Sequence, residues 1–220
     1  MTNAPTSTTA SPAAEAHSED LVRATAVAQI LKAGSGLRVS KEGIASVRAA
    51  VSYLLDEILD AAQLLADAEG KKKVLPRHIV AAVKNDSGLS TFGFAGTAPV
   101  AIRPGGAAST PATEGVPAPK KRKSLAVSTS HQFASSIRLI ERRRGSVLAS
   151  KSRELLQSVA AQFTADLAAA AGDLCREGSH QTLGVREIVS AVEQRMTGDR
   201  RDRTVARIET AVGKVVATTA

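Results

Sequence analysis

The residues best suited to chemistry in this 220-residue chain are cations, and they come in runs. Lys71, Lys72 and Lys73 stand together with Arg77 just beyond; Lys120, Lys121, Arg122 and Lys123 form a second run, and Arg142, Arg143 and Arg144 a third. Runs of this kind either neutralise a polyanion or solvate a surface. Their distribution favours the first: Lys120 to Arg144 holds eight basic side chains and one acid, Glu141, and so seven of the eight formal net positive charges. Other chemistries lack their constellations. Cys175 is the only cysteine, and His17, His78, His131 and His180 are far apart, so neither a disulfide nor a metal site is expected. Glu57 and Asp60 share a helix face but have no base, cleft or metal beside them. Gly34-Ser35-Gly36 lacks the Lys-Ser/Thr that a phosphate-cradling loop needs and reads as a turn. No catalytic residue, cofactor or small-molecule substrate is expected, and the chain does not read as an enzyme.

Helices must position these cations. Aromatic residues make up 2% of the chain while 43% is hydrophobic, so Ala, Val, Leu and Ile do the packing, and the expected class is all-α. Residues 1–20, rich in Thr, Ser, Pro and Ala, are expected to be a disordered tail. They have neither the basic start nor the apolar stretch of a signal peptide, and no apolar run approaches a membrane span, so the expectation is a soluble, non-secreted protein.

Asp20 is placed to cap a first helix over Leu21 to Ala33. Ser40 is placed to cap a long one, whose stripe of Ile44, Val47, Val51, Leu54, Leu55, Ile58, Ala62 and Leu65 keeps helical spacing to near Gly70. Pro76 opens a short third helix lined by Ile79, Val80 and Val83. Ser87 to Thr129 is rich in Gly, Pro, Ala, Ser and Thr and reads as connection, interrupted by Val100-Ala101-Ile102, which suits a brief extended contact. The plan then returns. A helix over Phe133 to Arg143 is followed by a long one capped by Ser150 and striped by Leu155, Val159, Phe163, Leu167, Ala170 and Leu174. A short helix over Val185 to Met196 comes next, and then an extra helix from Asp199 to about Val216.

The return is visible in the letters. RHIVAAVK at Arg77 to Lys84 recurs as REIVSAVE at Arg186 to Glu193. One supersecondary unit written twice points to two modules that complete one another. A long helix crossed by two short ones leaves an apolar groove, and each large side chain left in water forgoes roughly 1.5 to 3 kcal/mol. The two modules are therefore expected to clasp head to tail. The tether from Gly106 to Phe133 reaches some 85 to 95 Å at about 3.3 to 3.6 Å per residue, enough to allow this.

These residues carry a family resemblance. Arg38-Val39, Tyr53-Leu54, Glu57-Ile58-Leu59, Leu75-Pro76-Arg77-His78 and Asn85-Asp86 stand in the order and spacing of a core histone of the 2A type. Val100, Ile102, Gly105 and Gly106 resemble the segment that docks such a histone on histones three and four. Ser150-Lys151, Leu183, Arg186-Glu187-Ile188, Ala191-Val192 and Gly198-Asp199 match the 2B pattern, the terminal helix resembles the one that marks 2B, and KKRK at Lys120 to Lys123 resembles its basic entry patch. The chain is thus similar to the fused histone doublets of giant DNA viruses. The resemblance implies a 2A-like module over 21–106, a linker over 107–132 and a 2B-like module over 133–220, joined in a handshake dimer.

It also implies two loop-pair contacts to double-stranded DNA. Arg38, Ser40 and Lys41 should adjoin Ser179, His180 and Thr182, while Lys71, Lys72, Lys73 and Arg77 should adjoin Ser150 and Lys151. Arg142, Arg143, Arg144 and the KKRK run would add backbone charge; KKRK also reads as a nuclear import signal or a solvated linker. No base-reading array is evident. An acidic face for chromatin factors would keep Glu57, Asp60, Asp86, Glu187 and Asp199, but Ser52, Ser87 and Gly88 stand where carboxylates are usual. Ala26, Gln29, Ser179 and His180 likewise replace usual basic residues. The implied function is DNA packaging with histones three and four, or a fused counterpart, in the nucleus and chromosome, or in the virion and viral factory if the source is viral. The alternative is a histone-fold transcription or assembly factor that forms no nucleosomes.

Overall fold

The computed structural model describes residues 21–85 and 130–219. Seven α-helices run through them: α1 (Ala24–Ser35), α2 (Lys41–Ala68), α3 (Pro76–Lys84), α4 (Ala134–Arg144), α5 (Ser150–Glu177), α6 (Val185–Arg195) and α7 (Gly198–Thr219). Two two-residue strands, β1 (Arg38–Val39) and β2 (Thr182–Leu183), precede α2 and α6. The all-α class follows, with a short, long, short order repeated and one added terminal helix.

Local chemistry sets most of the ends. Ser40 caps α2 as its type suggests, its Oγ accepting from the Gly43 amide at 2.9 Å. Pro76 occupies the first turn of α3. Glycine at positive φ follows α1 (Gly36, φ 71) and α4 (Gly145, φ 64), where a side chain would be strained.

Beyond shifts of a residue or so at other ends, four boundaries differ for a visible reason. α1 starts at Ala24, because Val22 is fully buried and its carbonyl accepts from Arg48 Nε at 2.7 Å, which holds that residue outside the helix. It also runs through Gly34 to Ser35, where Ser35 Oγ donates back to the Leu31 carbonyl at 2.7 Å. α5 is not capped by Ser150: Ala149 is its extended N-cap, and Ser150 is already helical. Phe133 belongs to a 3-10 turn (Ser130–Phe133) ahead of α4, where its fully buried ring enters the core.

Both halves build a single core. α1 lies across α5, α2 crosses α5, and α7 covers α2. Leu31, Leu54, Leu55, Ile58 and Ile79 from the first half join Phe133, Ile137, Ile140, Leu156 and Phe163 from the second in one buried cluster. The α1–α5 crossing is close because it is built on small residues: a Cβ on Gly34 would come within 2.8 Å of the Ala168 Cβ, and one on Gly172 within 3.0 Å of the Ser35 Cβ. Arg176 of α5 donates to the Ser35 carbonyl at 3.2 Å and so closes the end of α1 across the interface. This head-to-tail clasp brings the loops of one half beside those of the other.

Candidate nucleic-acid interface

At one end of the crossed long helices, β1 and β2 pair in parallel, Arg38 opposite Thr182 and Val39 opposite Leu183. The Ser40 amide continues the pairing, donating to the Leu183 carbonyl at 3.1 Å. Alternation buries Leu183 and leaves Arg38 and Thr182 exposed. α2 and α6 both begin here, so their first amides, which have no helical partners, and exposed Lys41 and Arg186 gather at one place. His180, half exposed, places Nδ1 3.0 Å from Glu187 Oε1. Glu187 is itself buried and accepts from the Gly184 amide at 3.0 Å. Burial alone would push its carboxyl up, but the bonds from its own amide, His180 and Gly184 together hold it below the usual range.

At the other end Val74 bridges Leu148 in parallel. The Val74 amide donates to the Val147 carbonyl at 2.9 Å, and the Val74 carbonyl accepts from the Ala149 amide at 3.1 Å and from Ser152 Oγ at 2.8 Å. Val74 and Leu148 are buried, while Lys71, Lys72, Lys73, Ser150 and Lys151 face solvent. Glu141 braces the loop from behind: Oε1 accepts from the Leu148 amide at 2.9 Å and from Arg153 Nη2 at 2.7 Å, and Oε2 accepts from Arg153 Nε at 2.8 Å. Arg153 above all holds the Glu141 carboxyl below its ordinary range. Arg77 leans on Glu69, as does buried His78, whose Nδ1 accepts from the Leu75 amide at 3.2 Å. His78 first, then Arg77, lowers the Glu69 carboxyl.

The two loop pairs sit at opposite ends of α2, whose 28 residues at about 1.5 Å per residue span about 42 Å. That is comparable to one turn of B-form DNA, about 34 to 36 Å. The starts of the two first helices are less basic than their ends: Gln132, just ahead of α4, donates to Gln29 of α1, and Arg23 is the exposed cation ahead of α1.

The structure separates residues that the sequence presented as equals. Arg142 is exposed on α4, but Arg144 bonds Asp56 Oδ1 at 2.9 Å and pairs with Asp60, so it ties α4 to α2. Of the acids expected on one face, Asp60 is thus engaged, Glu57 lies 3.4 Å from Arg200 of α7, and Glu187 is buried under His180. Asp199 is exposed in the first turn of α7. Arg143 is exposed as well. Asp86, Val100, Ile102, Gly105, Gly106 and Lys120 to Lys123 lie outside the described residues.

Two of the exposed cations that sequence reasoning passed over bear on the interface. Arg186 is in register with Arg77 in the repeat, which could have flagged it, and Arg138 stands one helical turn before Arg142. Among the described residues no group of three or more His, Cys, Asp or Glu could hold a metal ion, and no helix is long and apolar enough to cross a membrane.

No protein-family model matches the chain. Among solved structures, the histone from Methanopyrus kandleri matches with a TM-score of 0.53 over 81% of this chain and 98% of that one, at 16% identity. The chain has the histone fold. Among curated proteins, the core histone of the 2A type from Encephalitozoon cuniculi (strain GB-M1) is 39% identical over 79 residues, 36% of this chain. The chain spans 62% of that relative's length. The structural match covers more of the chain than either half holds, so the histone fold extends over both repeats.

Proposed function

We propose that the chain is a structural, non-enzymatic DNA-packaging histone doublet: a 2A-like half and a 2B-like half that work as one dimer. It binds the DNA backbone without base specificity and assembles with histones three and four, or a fused counterpart, into nucleosome-like particles. The observation that carries this reading is the pair of cation-lined loop junctions at the two ends of α2, each opening onto helix N-termini. Such an array meets phosphates and sugar rather than base edges.

In this reading Arg38, Ser40, Lys41, His180, Thr182 and Arg186 serve one junction, and Lys71, Lys72, Lys73, Ser150 and Lys151 the other. Val100, Ile102, Gly105 and Gly106 dock the partner histones. The site of action is the nucleus and chromosome, or the virion and viral factory for a viral source. Chromatin factors meet a reduced acidic face.

Reconstitution with candidate partner histones followed by nuclease digestion is the test. Protected fragments of nucleosomal size that require the partners support the proposal. A discrete, sequence-specific footprint from the chain alone overturns it. Deleting residues 100–106 separates particle assembly, which should be lost, from the activity of a free-standing histone-fold factor, which should not.

A further inference from the structure

We infer that His180 makes the Arg38–Thr182 junction a proton-gated phosphate contact, so that DNA is gripped at one more point in mild acid than at neutral pH. The inference rests on the DNA-binding reading and concerns one of its two junctions.

The geometry carries it. His180 lies two residues before Thr182, the partner of Arg38 across the β1–β2 pair. Its amide donates to the Cys175 carbonyl at 2.8 Å, which fixes the loop. Nδ1 faces Glu187 Oε1 at 3.0 Å, and that carboxylate, also bonded to the Gly184 amide, is an acceptor only. The proton of the neutral ring is therefore kept on Nδ1, and Nε2 is left as a lone pair. No described residue takes Nε2, and the side chain is 52% exposed. Toward a phosphate oxygen, a bare lone pair is repulsive. A second proton turns the same atom into a charged donor without moving the ring, because Glu187 keeps its hold on Nδ1.

The other charged or titratable groups at the element ends that meet here are Arg38 of β1, Lys41 and Glu42 of α2, Asp173, Cys175, Arg176 and Glu177 of α5, and Arg186 and Glu187 of α6. Burial pushes the Cys175 thiol up, and Glu187 is held low, so neither changes charge in mild acid. Histidine is the residue type whose charge ordinarily changes in mild acid.

The full-length chain is titrated with a random-sequence duplex at several salt concentrations, at about pH 7.5 and about pH 5.5, the span in which histidine changes charge. Each neutralised phosphate adds about 0.9 to the slope of log K against log salt. The slope of the natural chain should therefore steepen by about 0.9 in acid. In His180→Gln it should not steepen, in His180→Arg it should already be steep at neutral pH, and in His131→Gln it should behave as in the natural chain. A pH response that survives in His180→Gln overturns the inference and leaves the DNA reading intact. Failure to bind duplex at either pH overturns both.

Discussion

Glu141→Gln tests the bracing of the lysine junction, because charge and structure predict opposite results. The substitution removes one negative charge, so long-range electrostatics alone would strengthen DNA binding. Structurally it weakens three bonds to one carboxylate: the Leu148 amide at 2.9 Å and the two Arg153 contacts at 2.7 and 2.8 Å. Glu141's side chain is 13% exposed and Arg153's 36%. Hydrogen bonds to charged groups contribute about 1.5 to 3 kcal/mol, and solvent screening at Arg153 keeps the total near the low end, about 2 kcal/mol.

For a chain of this length each kcal/mol shifts Tm by about 2 to 4 °C, so a fall of about 4 to 8 °C is expected at neutral pH. If about half of the loss is loop order that DNA must restore, affinity drops about fivefold despite the extra positive charge. The pH sign follows from the lowered carboxyl. Its stabilisation is present above the unfolded carboxylate range and fades as pH falls through the folded value, so the two proteins should converge in Tm in strong acid. Calorimetry and fluorescence anisotropy read both effects. Equal Tm at neutral pH, or tighter DNA binding by the variant, refutes the reasoning.

Replacing Lys71, Lys72, Lys73 and Lys151 with Gln should flatten the salt slope of DNA binding by about 3.6 at about 0.9 per charge, equally for unrelated duplexes; a loss confined to one sequence would contradict backbone binding. Asp166 of α5 is pushed up by burial, partly offset by Arg195 of α6. Its folded pKa being raised, the penalty appears as pH rises past the unfolded value, so Asp166→Asn should raise Tm at neutral pH and lose that advantage near pH 4, as differential scanning calorimetry can show. Cleavage at a protease site inserted between Gly106 and Lys120 should leave the halves co-eluting at low micromolar concentration, because their side chains share one core; separation would refute the clasp.

Periodicity made the helices legible, and the repeated RHIVAAVK and REIVSAVE letters exposed the pairing. Loop contacts were harder to read. Ser150 has the type of a cap, but the Ala149 amide is taken by the Val74 carbonyl, so the chain turns helical one residue earlier than a cap at Ser150 requires, and it is Ser152 that reaches inward. That partner lies 78 residues away, beyond any local pattern. The same limit hid the split within the arginine triplet: Arg144 is distinguished from Arg142 by Asp56 and Asp60, which sequence places in another module. His180 is visible as a departure from a basic pair, but its carboxylate brace is not, because Glu187 has the residue type of a surface acid and yet is buried.

The shared core has a consequence for supply. Partners made as separate chains can be produced in unequal amounts, and a surplus half would present its apolar face to whatever else it met. Here each round of translation delivers one of each, already matched, and no half can be exchanged for a variant of the other. Diversity in such a system would have to come by replacing the whole chain.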